Sequence, residues 1–130
     1  MPLREACGVL GIASKSPVLN LMTVGLRALQ HRGQESAGIT VYDGEPLTQK
    51  GMGLVSEVLN DFGDEFTNGL TGIGHVRYST AGGSSMKNAQ PMTVSSVSGE
   101  LSIGHNGNVA NQDALRQEKE KCWLGLHVGY

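Results

Sequence analysis

The sequence predicts an α+β domain on two observations. Strand-like segments are joined at Asp43-Gly44 and at Ser98-Gly99, and such pairs are typical of the tight turns of antiparallel hairpins. Residues 17 to 30 instead carry apolar side chains at three- and four-residue steps, as in an amphipathic helix that packs on a sheet. Hairpins and a sheet-covering helix in one chain define the α+β class.

The first strand is predicted within residues 4 to 12, where an apolar run bounded by glycine begins at Cys7. Ser16-Pro17 then predicts a helix start, with the serine as N-cap and the proline at the first helical position. The helix is expected to extend to about Gln30. Its apolar stripe consists of Leu19, Met22, Leu26 and Leu29.

The later elements follow from apolar alternation and turn residues. Strands are predicted at residues 36–42, 46–50, 71–78, 92–97 and 100–105. Gly51-Met52-Gly53 predicts a bend, and residues 55–69 predict a short helix. A further helix is expected to begin at Asn111 and to continue through the charged residues 118–121.

The composition limits the function classes. A chain of 130 residues with a formal net charge of -2 and scattered charges of both signs lacks the basic face that nucleic acid or a membrane surface requires. A small-molecule substrate is therefore expected. No apolar segment approaches the ~20 residues that span a bilayer, and the first residues do not form a secretory signal. Cys7 and Cys122 are accordingly expected to be reduced thiols of a cytoplasmic protein.

Cys7 is the candidate nucleophile, because a thiol at the start of a strand is held still at one end of a sheet. If Cys7 were the first residue of the mature chain, its own α-amine would lie within reach as the base. Residues 1–6 block that amine in the chain as printed. Taken alone, Cys7 is more simply explained as a buried cysteine in a core strand.

Three polar stretches after Cys7 fit neither a core nor a solvated surface: Gln30 to Gly38, Gly74 to Gly82 and His105 to Asn108. With Cys7 and these stretches in this order, the chain resembles the class II glutamine amidotransferase domains of the amidophosphoribosyltransferase family. The resemblance runs from about Glu5 to about Arg116.

The resemblance implies the four-layer α/β/β/α sandwich of N-terminal nucleophile hydrolases, incomplete at its C-terminal end. Residues 1–6 would be a propeptide, residues 7–116 a partial amidotransferase domain and residues 117–130 a divergent tail. It also implies the hydrolysis of glutamine to glutamate and ammonia, for phosphoribosylamine formation in purine biosynthesis, by an enzyme of the glycosyltransferase class.

The full reaction would need a phosphoribosyltransferase domain that is missing here. In the family, an aspartate just beyond the matched region holds the ammonium group of glutamine, whereas Cys122 to Tyr130 contains no acidic residue. The chain by itself is therefore expected to be a poor glutaminase or none, and whether it is active is left open.

The resemblance also assigns substrate-binding residues. Arg77 would bind the carboxylate of glutamine through its two-pronged guanidinium. Tyr78, Ser79 and Thr80 would line the same pocket. Without the motif, Arg77 would be interpreted as a strand-end arginine paired with a nearby acid. His75 is expected to be structural.

Asn106-Gly107 would supply the N–H groups that stabilise the oxyanion, one from a side chain and one from the backbone. The pair is also typical of a two-residue hairpin turn, although residues 108–112 do not alternate like a returning strand. Arg27 and Arg32 would order the stretch from Gln30 to Gly38 over bound glutamine. Alternatively, both would be helix-end arginines that interact with the helix dipole.

No spacing typical of zinc, iron–sulfur or phosphate-loop sites occurs, so no cofactor is expected in this chain. The expected partners are glutamine and the missing phosphoribosyltransferase domain, and the sequence leaves a homo-oligomer open. The alternative function is a truncated, non-catalytic remnant that binds glutamine or a partner. A free α-amine at Cys7 would distinguish the two.

Overall fold

The computed structural model describes residues 7–78, 85–107 and 109–127, with the backbone alone for the last six of these. The predicted propeptide, residues 1–6, lies outside the described residues, as do Ser79 and Thr80 and the end of the predicted tail. Within the described ranges, no helix is both long and apolar enough to cross a membrane.

Four antiparallel strands form the larger sheet, in the spatial order β1-β4-β2-β3. They are β1 (Gly8–Ala13), β2 (Ser36–Tyr42), β3 (Pro46–Met52) and β4 (Thr71–Arg77). A separate hairpin consists of β5 (Met92–Ser96) and β6 (Gly99–Ile103). The helices are α1 (Leu19–Ala28), α2 (Val55–Val58) and α3 (Gln112–His127), and 3-10 turns cover Gln30–Arg32, Asp64–Asn68 and Met86–Asn88.

The core lies between the larger sheet and its two nearest helices, α1 and α2. Its fully buried side chains include Val18, Met22, Leu26, Ile39, Val41, Val55, Leu59 and Val76. On β4, Gly74 lies under Leu26 of α1 and Val76 belongs to the same core. Because side chains alternate along a strand, His75 and Arg77 point to the opposite face of the sheet.

The β5–β6 hairpin lies on that opposite face. The Thr48 and Thr93 hydroxyls form a hydrogen bond of 3.0 Å between the two sheets. The Lys50 ammonium donates to the carbonyls of Ala89 and Pro91 at 2.9 Å each. A groove of about 550 Å³ remains between the sheets. The larger sheet is therefore covered by helices on one face and by the hairpin on the other.

The predicted strands are confirmed, although the ends of most of them differ by one or two residues. The first helix begins at Leu19 with Val18 as its N-cap, rather than at Ser16-Pro17. The N–H of Val18 donates to the carbonyl of Gly69 at 2.9 Å, so a contact across the fold decides where the helix starts. The bend predicted at residues 51–53 is confined to Gly53, which has a φ of 119°. Gly51 and Met52 still belong to β3 and pair with β2.

The segment predicted as one short helix, residues 55–69, forms α2 and a separate 3-10 turn instead. The helix expected from Asn111 is confirmed as α3, which extends past the charged residues 118–121 to His127. Side chains 112–121 of α3 are exposed. The division of the chain at residue 117 stays a prediction.

Candidate active site

The register of β1 against β4 brings Cys7 to the end of the sheet beside Arg77. Gly8 pairs with Val76, so Cys7 lies one step further along, next to the last residue of β4. The Cys7 Sγ accepts a hydrogen bond from the N–H of Tyr78 at 3.4 Å and lies 3.7 Å from the Tyr78 carbonyl oxygen. The thiol is half-buried. It is therefore positioned by backbone atoms at the point where β4 ends.

The carbonyl group of Cys7 is bound by two residues from other parts of the chain. The Asn106 side-chain amide donates to it at 2.7 Å, and the Nε of Arg32 donates at 3.2 Å. The fold thus brings together the cysteine and two of the three polar stretches that the sequence singled out. The third stretch contributes Tyr78 and Arg77.

The stretch from Gln30 to Gly38 is pressed against the end of β4. A Cβ at Gly33 would lie within 2.6–2.7 Å of backbone atoms of Arg77, so only glycine allows this approach. The Glu35 N–H donates to the Arg77 carbonyl at 3.0 Å. The Gln30 side chain donates to the Gly33 carbonyl and accepts from the Val55 N–H at 2.7 Å. These contacts fix the loop that carries Arg32.

Arg77 forms an ion pair with Glu35, with 3.8 Å between the Arg77 Nε and the Glu35 Oε2. Both side chains are about nine-tenths buried, with 11% and 10% of their surface exposed. Neither Glu35 oxygen has a hydrogen-bond partner among the described residues, since 3.8 Å exceeds hydrogen-bond distance. The strand-end arginine paired with an acid, which the sequence kept as an alternative, is therefore present.

Asn106 and Gly107 follow β6 and precede α3. In the described part of the chain, α3 follows instead of a returning strand, so the hairpin interpretation is wrong. The backbone N–H and carbonyl groups of His105, the residue before Asn106, each form a hydrogen bond with a side chain. The His105 N–H donates to the Gln90 Oε1 at 2.6 Å, and the His105 carbonyl lies 3.0 Å from the His75 Nε2.

His75 is fully buried on β4. Burial lowers the pKa of His75 from its ordinary value of 6.5. The neighbouring Arg77 and His105 lower it further, and their effect together with burial outweighs the hydrogen bond to the His105 backbone, which raises it. Since a carbonyl can only accept, the Nε2 of His75 must carry the proton.

Among the remaining predicted residues that the structure describes, no side chain forms a hydrogen bond with Cys7. Tyr78 contacts Cys7 through its backbone, while its side chain is half exposed. Arg27 is exposed in the last turn of α1, and no described residue forms a hydrogen bond or ion pair with its side chain. Of the two loop-ordering arginines, Arg32 is the one that contacts the site. Thr80 lies outside the described residues.

Sequence reasoning missed the contacts of Glu35, Gln30 and Gln90. Glu35 and Gln30 stand inside a stretch that the sequence did single out, so their motif was a usable signal. Gln90 has no such signal, because its role depends on the backbone of His105. Among the described residues, no group of three or more His, Cys, Asp or Glu side chains could hold a metal ion.

Several known proteins are similar to this chain in sequence and in fold. No family model matches the chain. It is 49% identical over 116 residues to amidophosphoribosyltransferase of Archaeoglobus fulgidus, and the alignment covers 88% of this chain and 25% of that protein. It is 46% identical over 120 residues to the Bacillus subtilis protein of the same name, with 91% of this chain and 25% of that protein covered. The Drosophila melanogaster protein of that name is 42% identical over 134 residues, with 95% of this chain and 24% of that protein covered.

Two solved structures are similar as well. One is described as the structure of the allosteric regulatory enzyme of purine biosynthesis, with a TM-score of 0.78 and 41% identity over 87% of this chain and 25% of that chain. The other is glutamine phosphoribosylpyrophosphate amidotransferase from Bacillus subtilis complexed with ADP and GMP, with a TM-score of 0.74 and 40% identity over 87% and 24%.

The fold is of the α+β class and is that of the matching part of a glutamine amidotransferase structure. The chain spans about a quarter of the length of the relatives that it matches. At 42% to 49% identity over about nine-tenths of its length, it belongs to the amidophosphoribosyltransferase family. The resemblance and the fold class inferred from the sequence are thereby confirmed.

Proposed function

We propose that this chain carries the glutamine-hydrolysing site of an amidophosphoribosyltransferase. The observation that supports this most directly is the 2.7 Å hydrogen bond between the Asn106 amide and the Cys7 carbonyl, which joins residues 99 positions apart. A candidate nucleophile and a candidate oxyanion donor thus meet at the end of the strand that also carries Arg77. A core cysteine would need neither neighbour.

In the proposed reaction, the Cys7 thiol gives its proton to the Cys7 α-amine, and the sulfur attacks the amide carbon of glutamine to give a tetrahedral intermediate. The C–N bond then breaks, and the nitrogen leaves as ammonia with a proton returned by the Cys7 α-amine. Water next hydrolyses the glutamyl thioester, which yields glutamate and restores the thiol. Because the α-amine must be free, removal of residues 1–6 is part of the proposal.

Asn106 and Gly107 stabilise the oxyanion in this mechanism. A side-chain amide nitrogen carries two N–H groups, so the bond from Asn106 to Cys7 uses one of them and leaves the other for the substrate. The backbone N–H of Gly107 is the second donor. Donors that are already in place when charge develops are worth more than donors that must reorganise.

Arg77 binds the substrate carboxylate, with Glu35 holding the guanidinium from the side. Tyr78 and Thr80 line the pocket, and Arg27 together with Arg32 orders the loop that covers it. The ammonia is used by a phosphoribosyltransferase domain to make phosphoribosylamine for purine synthesis. The setting is the cytoplasm, and neither nucleic acid nor a membrane takes part.

The test is ammonia release from glutamine by a chain that begins at Cys7, beside the 130-residue chain that retains Met1. A hybrid in which residues 117–130 are replaced by the corresponding segment of the Archaeoglobus fulgidus relative is assayed in parallel. We expect release by a form that begins at Cys7, and loss of ~10²–10³-fold in kcat in Asn106→Ala with little change in KM.

Absence of release from every form, the hybrid included, would support the non-catalytic remnant instead. Release by the chain that still carries Met1, confirmed by its intact mass, would contradict the role of the α-amine. An Asn106→Ala variant that changed KM alone would remove Asn106 from the oxyanion site.

A further inference from the structure

We propose that His75 is a positioning residue that sets the place of the oxyanion-stabilising pair Asn106-Gly107 by donating a hydrogen bond to the carbonyl of His105. This inference rests on the proposed function. It assigns His75 a role beyond filling space in the sheet, although His75 touches neither the thiol nor the substrate.

His75 is attached to the most constrained strand of the fold. β4 is paired on both sides, and at this position His75 is opposite Val9 of β1 and Gly38 of β2. The side chain is completely buried. Its Nε2 lies 3.0 Å from the His105 carbonyl oxygen. The imidazole therefore links the centre of the sheet directly to the residue that precedes Asn106.

The segment that His75 holds has little other support. β6 ends at Ile103 and α3 begins at Gln112. His105, Asn106 and Gly107 are all exposed. An exposed connection of this kind samples several conformations unless its backbone is bound, which would spread the Asn106 amide over many positions.

Gln90 completes the support from the other side of His105. Its Oε1 accepts the His105 N–H at 2.6 Å, so both peptide groups of His105 are bound. The backbone of Gln90 in turn packs against Gly38, the residue opposite His75 on β2. His75 and Gln90 thus fix one residue from a common part of the sheet, and Asn106 is directed at the Cys7 carbonyl.

The protonation state of His75 fits positioning rather than proton transfer. The bond to His105 requires a proton on Nε2, and Nδ1 is buried with no hydrogen-bond partner among the described residues. Burial, Arg77 and His105 lower the pKa of His75, which favours the neutral ring. A donor of fixed tautomer holds the His105 carbonyl in place.

The test compares His75→Leu, which removes the donor, with His75→Gln, which can keep an N–H near the same place. Val41→Ala serves as the matched control. Val41 is a buried core residue on the helix-covered face of β2, so this substitution destabilises the fold without changing a residue of the site. We expect kcat for glutamine hydrolysis to fall by roughly 10²-fold in His75→Leu, as a misplaced catalytic group typically causes, with KM nearly unchanged. His75→Gln should recover most of the loss, and Val41→Ala should keep kcat at temperatures where it is folded.

A second readout does not depend on turnover. In nuclear magnetic resonance spectra of the chain, the Asn106 side-chain proton that is bound to the Cys7 carbonyl should lie downfield of its position in a free side-chain amide. In His75→Leu this proton should move toward the free-amide value. In the unchanged protein, the His75 ring should be the Nε2–H tautomer with a coupling across the hydrogen bond to the His105 carbonyl.

These outcomes separate the two proposals. If no form hydrolyses glutamine but the Asn106 signals respond to His75→Leu, the proposed function fails and the positioning role stands. A folded His75→Leu variant with unchanged kcat or unchanged Asn106 signals overturns the positioning role. If His75→Leu does not fold, an Nδ1–H tautomer or an absent coupling in the unchanged protein overturns it equally.

Discussion

Cys7 is tied into the site through its carbonyl group as well as its thiol. Arg32 and Asn106 donate to that carbonyl at 3.2 and 2.7 Å. Two hydrogen bonds to one carbonyl, one of them from a charged donor, fix the backbone from which the thiol projects. The position of Cys7, the proposed nucleophile, therefore depends on two segments that are distant from it in sequence.

At Arg77, exchange for lysine tests the assigned substrate contact. Arg77→Lys keeps the charge but loses the two-pronged fork, and hydrogen bonds to charged groups are worth ~1.5–3 kcal/mol, so KM for glutamine should rise about tenfold or more. The change in kcat should be smaller. Steady-state kinetics check this, with Arg116→Lys on the exposed part of α3 as the control. A fall in kcat at constant KM would remove Arg77 from ground-state binding of the carboxylate.

Among the secondary-structure elements, β2 supports the site through the contact of its residue Gly38 with Gln90. A Cβ at Gly38 would collide with the carbonyl oxygen of Gln90. Gln90 binds the N–H of His105, so any displacement at Gly38 passes to the segment that carries Asn106. A glycine in the middle of a strand is here a packing requirement rather than a weakness of the strand.

Gly38→Ala should lower the free energy of unfolding by ~1–3 kcal/mol, as overpacking typically does, and should also reduce kcat. Gly11→Ala is a matched control, since Gly11 also lies in a strand of the larger sheet and a Cβ there would meet nothing within 4 Å. Urea unfolding of both variants measures the difference. Equal stability of the two variants would show that the backbone at Gln90 can move away from β2 without a loss in the free energy of unfolding.

The strands could be predicted because alternation and turn residues are local properties, and β2 has the bounds that the sequence predicted. The start of α1 could not, because it depends on the bond from Val18 to Gly69. Within the site, the polar stretches pointed to Arg77 and Asn106, and the start of the first apolar run pointed to Cys7. The contact of His75 could not be predicted, since it is made with a backbone carbonyl that any residue at position 105 would present.

For the molecule as a whole, burial of a neutral histidine couples stability to pH. The pKa of His75 is lowered below 6.5 in the folded state, so the unfolded state takes up the proton first as the pH falls. Stability is therefore greatest above an unfolded-state pKa of about 6.5 and decreases as the pH falls below it.

The free energy of unfolding should decrease between about pH 7.5 and about pH 5.5, and the decrease should be smaller in His75→Gln, which has no proton to take up there. Urea titrations at both pH values measure the decrease in the free energy of unfolding for the unchanged protein and for His75→Gln. Identical pH dependence of the two proteins would show that His75 is not the group responsible.

The central claim is that Cys7 is the nucleophile of a glutamine site, and covalent labelling tests it most directly. The chain beginning at Cys7 is incubated with a glutamine analogue that carries a diazoketone in place of the carboxamide, and the product is digested and analysed by mass spectrometry. If Cys7 is the nucleophile, a single adduct forms on Cys7 with loss of dinitrogen. Excess glutamine prevents this adduct, and Cys122→Ser retains it. Labelling of Cys122 as fast as Cys7, or labelling of Cys7 that glutamine does not slow, would contradict it.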